Sequence, residues 1–413
     1  MLVSSEGPTF SPEIISEIIG YLHDDKKTLR TLGFVSKHTL HESRHHLFST
    51  VDFLAPLTGN AYDVWQDFDR FLRLVDVAWT SFTPAIQCIR FLGFYGKCAD
   101  HHSIGRGIPL ARIRTNLLNV KSLRLGSLNL TSIPSYILDL VFQLPIEHLS
   151  LGLVYGCNAT NLLDLFRRFP PLLRTLDFNR MKFPSTLRLC LLVESSVFHR
   201  PFRFETLDSR SLLLFQSVWD PFCYNIDIKV KSFWLQLEYD QLYPHEALFI
   251  SRFLQRIGSS LENLKISHRE YDPWINGFLD PIHVSQCINL RSLEIEELKW
   301  DDREDQVPDS AVQKFLSALP SPRLVQEISI EIAFSAQMLE RRLIMLLKWS
   351  SLIETVQRLF PNLNKLAISI GTRLRAEDPN PYLDLLRRVG NVRDLEKKGV
   401  IKLDVIISHS LYI

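Results

Sequence analysis

One short segment of the sequence has the residue types and the spacing of a metal site. Residues His41 to His45 read H-E-x-x-H, a pattern in which two imidazoles one helical turn apart bind zinc and the glutamate activates water. Arg44 would bring a cation close to such a metal, and no third ligand stands out in the sequence. A zinc peptidase acting through His41, Glu42 and His45 is therefore a distant alternative, and solvated histidines on a structural helix are the preferred interpretation.

Other chemical signatures are weak or missing. Residues 93–97 contain two glycines and end in Lys97, but they lack the G-x-x-x-x-G-K-[ST] spacing of a phosphate-binding loop. The six cysteines form no C-x-x-C pair, which argues against a zinc knuckle or a disulfide framework. The sequence has no G-x-S-x-G nucleophile motif. We therefore predict a chain that is not an enzyme and that binds no metal and no cofactor.

Composition and charge exclude further classes of function. The 413 residues are 46% hydrophobic and 23% charged, which is enough apolar material to bury a core. Lysine and arginine total 47 against 46 aspartates and glutamates, so the net charge is +1. This balance lacks the basic footprint of a nucleic-acid binder. No apolar stretch reaches the roughly 18 residues that would cross a bilayer. We expect a soluble protein in the cytoplasm, the nucleus or both, with no membrane or nucleic-acid partner.

Residues 10–48 have the pattern of a small helical domain. Ser11 can cap a first helix that has Pro12 at its first position, and Ile14, Ile15, Ile18, Ile19 and Leu22 then follow at helical spacing. A second short helix is predicted through Leu29, Leu32 and Val35, and a third starts at Ser36. About 40 residues make a marginal core, so such a domain usually needs a neighbour or a partner.

A different pattern repeats after residue 48. Three apolar residues recur at positions i, i+3 and i+5, about 32 residues apart on average, which is a period typical of repeat proteins. The predicted triads are Phe48/Val51/Phe53, Ile86/Ile89/Phe91, Val120/Leu123/Leu125, Ile146/Leu149/Leu151, Leu173/Leu176/Phe178, Phe204/Leu207/Ser209, Val230/Phe233/Leu235, Leu261/Leu264/Ile266, Leu290/Leu293/Ile295, Val325/Ile328/Ile330, Leu363/Leu366/Ile368 and Val400/Leu403/Val405.

Several triads follow a helical stretch, as at residues 162–169, 245–257, 311–319 and 335–360. Each unit is therefore interpreted as a helix, a tight turn and a short strand. A (β/α)8 barrel closes at eight strands, whereas an open solenoid has no such limit. About twelve units favour an α/β fold in which a small three-helix domain precedes an open array of helix–strand units with a parallel sheet.

The N-terminal domain resembles an F-box. The segment FSPEIISEIIGYL at residues 10–22, the spaced Leu29 and Leu32, the Val35-Ser36-Lys37 segment and the later Arg44–Phe48 stretch follow the order and spacing of that motif. Ser11 stands where the family has a proline, and Thr39 stands where it often has tryptophan. The remaining chain resembles irregular leucine-rich repeats that lack the usual asparagine after L-x-x-L-x-L. The resulting division is a flexible N-terminus at 1–9, an F-box-like domain at 10–48 and a repeat array at 49–413.

This resemblance implies a substrate-recognition subunit of a Skp–cullin–F-box ubiquitin ligase. The F-box would bind the Skp-type adaptor, and through it a cullin–RING ligase, while the repeats would hold a protein substrate. An alternative is a repeat scaffold whose F-box-like segment acts outside ubiquitin transfer. The expected adaptor-binding residues are Phe10, Pro12, Ile15, Ile18, Ile19, Leu22, Leu29, Leu32, Val35 and Ser36.

In leucine-rich repeats, the strand residues between the inward leucines lie on the substrate-binding face. The resemblance therefore implies a binding surface whose mixture of charges and sizes suits a protein partner. The expected substrate-binding residues are Arg124, Ser150, Asp177, Lys265, Glu294 and Asp404.

Overall fold

The computed structural model describes residues 10–54, 64–77, 82–94, 110–128, 135–152, 165–179, 202–209, 228–237, 244–268, 282–299, 308–334, 349–372, 387 and 392–407. The chain forms two compact units, Met1–Leu173 and Arg174–Ile413. Residues 1–9, predicted to be a flexible terminus, lie outside the described residues, and so do residues 95–97 of the glycine-containing segment.

The first unit begins with three helices, α1 (Pro12–Tyr21), α2 (Lys26–Leu32) and α3 (Lys37–Phe48). Asp25 caps α2 by accepting a hydrogen bond from the Thr28 backbone N–H at 3.0 Å. Ser36 and Thr39 form a reciprocal capping box that starts α3. The three predicted helices are confirmed, but the second one ends at Leu32, so Val35 lies in the turn before α3 rather than on a helix.

The rest of the first unit alternates strands and helices. In chain order these elements are β1 (Thr50–Leu54), α4 (Val64–Asp76), β2 (Cys88–Phe94), α5 (Leu110–Asn116), β3 (Ser122–Leu128), α6 (Ser135–Phe142) and β4 (His148–Gly152). Each strand pairs in parallel with the next one, from β1 to β4.

The second unit continues the alternation. Its elements are β5 (Thr175–Asn179), β6 (Phe202–Ser209), β7 (Ile228–Leu237), α7 (Pro244–Ile257), β8 (Asn263–His268), β9 (Ser292–Lys299), α8 (Pro308–Ser317), β10 (Glu327–Phe334), α9 (Trp349–Leu359), β11 (Lys365–Thr372), α10 (Val392–Lys397) and β12 (Ile401–Ile407). The strands pair in parallel and in sequence order from β5 to β12. Of the predicted helix at 335–360, the described part is α9.

The core is built from the apolar alternation along the strands. Side chains at every second strand position share one face of a sheet. Phe53 of β1 contacts Phe68 and Phe71 of α4, and Phe233 of β7 contacts Phe253 of α7. These contacts place the helices on the face to which the apolar strand residues point. We call the opposite face of each sheet its outer face.

The predicted α/β repeat fold is confirmed, since a strand lies at each of the twelve predicted triads and the strands run in linear order rather than as a closed eight-stranded barrel. The last triad, Val400/Leu403/Val405, is placed two residues too far along the chain. Ile401 pairs opposite Leu366, and Leu403 pairs opposite Ile368. The residues of β12 at the last two triad positions are therefore Ile401 and Leu403, which are both buried.

Asparagines link neighbouring repeats, although the sequence predicts no asparagine ladder. In three repeats, the residue immediately before the first residue of the triad is an asparagine whose side-chain amide donates a hydrogen bond. The acceptor is a backbone carbonyl of the preceding repeat, two residues before the first residue of that repeat's triad. The three pairs are Asn119 Nδ2 to Pro84 O (2.7 Å), Asn289 Nδ2 to Ser259 O (2.6 Å) and Asn362 Nδ2 to Arg323 O (2.8 Å). The usual asparagine position holds other residue types, but asparagines at a different position of the repeat make the hydrogen bonds between neighbouring repeats.

Candidate protein-interaction surfaces

The three helices of the N-terminal domain pack together and form a small core of their own. Helix α3 packs against both α1 and α2. Ile19 is 1% exposed and Leu29 is fully buried, whereas Ile15, Leu22 and Leu32 are half-buried. Ile19 and Leu29, which the sequence analysis assigns to adaptor binding, therefore belong to the core of this domain and not to its surface.

The outer surface of α1 carries a second apolar stripe. Ile14, Ile18 and Tyr21 lie within about 60° of one another around the helix axis. Tyr21 is 80% exposed, and Ile14 and Ile18 are each nearly half exposed. Phe10, just before the helix, is also exposed. Helix α1 is thus apolar on two sides, and one of them faces away from the domain's own core.

The turn between α2 and α3 also carries exposed apolar side chains. Phe34 is 90% exposed and Val35 is 68% exposed. The turn is fixed on its far side by the Ser36 capping box. Of the other predicted adaptor-binding residues, Pro12 and Ser36 are also exposed. We call the group formed by Phe10, Ile14, Ile18, Tyr21, Phe34 and Val35 the head patch.

Three members of the head patch, Ile14, Tyr21 and Phe34, are not among the adaptor-binding residues expected from the sequence. The spacing of Ile14, Ile18 and Tyr21 is i, i+4 and i+7, which is itself the signature of a continuous helix face. The sequence alone does not separate this face from the inner one, because Ile15, Ile19 and Leu22 have the same spacing. Phe34 lies outside the helices, so no helical pattern indicates its exposure.

Exposed side chains of both charges lie on the three helices. Lys26, Lys27, Arg30 and Lys37 are exposed on α2 and at the start of α3, and none of them has an ion-pair partner within the described part of the chain. Glu13 and Glu17 are exposed on α1, which also carries Ile14 and Ile18.

The H-E-x-x-H residues lie on α3, with His41 and His45 exposed and Ser43 buried. The His45 ring contacts His46 edge-on, with ring centroids 5.5 Å apart. Burial, followed by the nearby His45, lowers the pKa of His46. Within the described ranges, no group of three or more His, Cys, Asp or Glu side chains is placed to hold a metal ion.

The outer face of the first unit carries a row of polar residues that occupy matching register positions on neighbouring strands. Asp52, Arg90, Arg124 and Ser150 are register partners across β1 to β4. Arg90 donates to both carboxylate oxygens of Asp52 at 2.5 Å, and this bidentate hydrogen bond raises the pKa of Arg90. The predicted substrate-binding residues Arg124 and Ser150 thus lie next to each other on one face.

The corresponding row in the second unit is largely paired internally. Lys265 Nζ lies 2.6 Å from Glu296, 3.3 Å from Glu294 and 4.5 Å from the ring centroid of Trp234. Burial raises the pKa of Glu296, with Glu294 adding to the effect and Lys265 opposing it. Burial alone would lower the pKa of Lys265, but Glu296 and Glu294 outweigh it and raise that pKa.

The register moves one of the predicted substrate-binding residues out of this row. Asp177, Lys265 and Glu294 belong to the row, but the row position on β12 is Lys402, which pairs opposite Ala367. Asp404 instead pairs opposite Ser369, one outward position further along the strand. The displacement follows from the two-residue error in the last triad.

Comparisons with known proteins add little to this geometry. A scan against protein-family models and a search of curated proteins both gave no match. Among solved structures, a chain of the "Crystal structure of Rad7 and Elc1 complex in yeast" is similar to this one at 13% sequence identity and a TM-score of 0.35, covering 86% of this chain and 88% of that chain. This likeness is too distant to support an argument about fold or function, which rest on the geometry above. No described helix has the length and apolar character needed to cross a membrane.

Proposed function

We propose that this protein is the substrate-recognition subunit of a Skp–cullin–F-box ubiquitin ligase. In this proposal the three-helix domain is an F-box that binds the Skp-type adaptor through the head patch. The repeat sheet holds the protein that is to be ubiquitinated, and the chain contributes no catalytic group of its own.

The observation that carries the proposal is the head patch itself. Six large apolar side chains are exposed on a domain of about 40 residues, on α1, just before it and in the turn between α2 and α3. Covering apolar surface is worth about 25 cal/mol per Å² before the costs of association are subtracted. An exposed patch of this kind on so small a domain is typical of a protein-interaction site.

The F-box resemblance supports a Skp-type adaptor as the partner, and the repeats support a mechanism based on positioning. A receptor that holds its substrate and an adaptor at the same time raises the concentration of the substrate lysine near a ubiquitin thioester carried by another subunit. The rate gain comes from proximity and orientation. Within each unit, the parallel pairing of successive strands supports this role, because it fixes the positions of the outer-face residues relative to one another.

Co-elution with a purified Skp-type adaptor on size-exclusion chromatography tests the proposal. Ile14→Asp combined with Ile18→Asp should abolish co-elution, because both side chains are exposed and the charges would face the adaptor. Leu74→Asp with Leu118→Asp is the matched control, since these leucines are also about half exposed and lie in the same unit. The control should co-elute like the wild type, and circular dichroism should show that both variants are folded.

Absence of co-elution by the folded wild-type chain, or equal binding by both double variants, would refute the assignment of the head patch. A cullin pull-down then separates the two remaining possibilities. Recruitment of a cullin through the adaptor supports a ligase subunit, whereas adaptor binding without a cullin indicates a scaffold that acts outside ubiquitin transfer.

A further inference from the structure

Arg124 differs from every other charged member of its row in the first unit. It is exposed, and it has no ion-pair or hydrogen-bond partner among the described residues. Its neighbour Arg90 is held by Asp52 through two hydrogen bonds, so those two charges compensate each other. The row therefore presents one uncompensated guanidinium, whose planar donors suit a carboxylate or a phosphate.

A shallow apolar shelf lies beside that arginine on the same outer face. The next outward positions along β1 to β4 are Leu54, Leu92, Gly126 and Gly152, which are register partners. Leu54 is 57% exposed, and the Leu92 side chain lies over Gly126, where a Cβ would be only 2.5 Å from Leu92 Cδ2. Gly126 therefore makes room for the Leu92 side chain, and Leu54 and Leu92 form the apolar surface of the shelf.

The second unit offers no comparable cation in its row near Lys265. That lysine is already bound by Glu294 and Glu296 and is covered by Trp234. A ligand would have to replace these contacts to reach it, at the cost of leaving two half-buried carboxylates without their cation. Of these two cations, Arg124 is the one that an anion can reach without displacing another contact.

We propose that the outer face of β1–β4, centred on Arg124, binds an acidic segment of a protein partner whose anionic group contacts Arg124 and whose neighbouring apolar side chain lies on the Leu54–Leu92 shelf. This inference rests on the proposed function, in which such a segment belongs to the substrate. The anionic group is a carboxylate or a phosphate, which share the same recognition by arginine.

Selection from a displayed library of random 12-residue peptides on the purified full chain tests the proposal. The retained peptides should be enriched in Asp or Glu next to Leu, Ile or Phe. Synthetic copies should bind at least tenfold more weakly to Arg124→Glu, and should bind less tightly to Arg124→Lys because the planar fork is lost. Arg114→Glu, an exposed arginine of α5 in the same unit, is the control and should bind within twofold of the wild type. Copies with phosphoserine in place of the acidic residue distinguish the two anions.

Recovery of no peptide, of peptides without acidic enrichment, or of peptides that bind the Arg124 and Arg114 variants equally would overturn the proposal. Co-elution of Arg124→Glu with the Skp-type adaptor is measured on the same samples. Loss of peptide binding with adaptor binding intact supports the assignment of Arg124. Failure of the wild type to bind the adaptor, with peptide selection successful, would refute the ligase proposal while leaving this binding face in place.

Discussion

Asn289 is bonded through its side-chain amide to the backbone carbonyl of Ser259, one repeat earlier, at 2.6 Å. The backbone next to this contact connects the same two repeats, because the N–H groups of Arg291 and Ser292 both donate to the carbonyl of Glu262. One side chain therefore supplements the strand ladder at the turn that enters each strand. Asn119 and Asn362 make the equivalent contact in other repeats.

Asn289→Ala should lower the free energy of unfolding by about 0.5–1.5 kcal/mol, the usual net value of one hydrogen bond. Urea denaturation followed by circular dichroism measures the change. Ser285→Ala is the control, since Ser285 is exposed in the same segment, and it should change stability by less than about 0.5 kcal/mol. Equal effects of the two substitutions would contradict a structural role for the amide.

Gly258→Ala should be more damaging, by about 1–3 kcal/mol, which is the usual cost of overpacking. A Cβ on Gly258 would lie 2.6 Å from the backbone C and O of Gln286 in the next repeat, and backbone cannot rotate away as a side chain can. Gly20→Ala on α1 provides the contrast. Nothing lies within 4 Å of the corresponding Cβ, so alanine there should stabilise the chain by about 0.5–1 kcal/mol through its better helix propensity. Thermal denaturation of both variants tests the expected difference in sign.

The repeat fold could be predicted because one apolar period recurs twelve times, so an error in one repeat is corrected by its neighbours. The last strand shows the limit of that reasoning. Val400, Ile401, Leu403 and Val405 are all apolar, so two registers fit the sequence equally well. Pairing with β11 selects Ile401 and Leu403, and this choice moves Lys402 into the row where Asp404 is predicted.

The exposed apolar residues of the three-helix domain were harder to predict, because an apolar residue on a short helix can be either core or surface. Ile18 and Ile19 are adjacent and identical in type, yet Ile18 is 47% exposed and Ile19 is 1% exposed. The difference depends on where α3 crosses α1, which local sequence does not encode. The resemblance to an F-box predicts binding by this domain but does not sort its residues by face.

Stability should fall as the pH is lowered below the ordinary imidazole pKa of about 6.5. Burial and the neighbouring His45 lower the pKa of His46 in the folded chain. The unfolded chain therefore binds more protons than the folded chain in the window just below pH 6.5, and protonation favours unfolding there. The urea midpoint of the wild type should decrease from pH 7.5 to pH 5.5 by more than that of His46→Gln. An equal decrease in the two proteins would contradict this contribution of His46.

Lys265 should be important for the stability of the second unit rather than for recognition of a partner. Lys265→Ala leaves Glu294 and Glu296 facing each other without their shared cation, and Glu296 is already partly desolvated. We expect a loss of about 1–3 kcal/mol at pH 7, the usual cost of leaving a partly buried charged group without its partner. Protonation of Glu296 removes the repulsion, so the deficit should shrink as the pH falls from 7 to 5. Adding Glu296→Gln to Lys265→Ala should cost less than Glu296→Gln costs in the wild type, because the two residues act as a pair. Strictly additive losses in this double-mutant cycle, or a deficit that does not change with pH, would show that the three side chains are near one another without being energetically coupled.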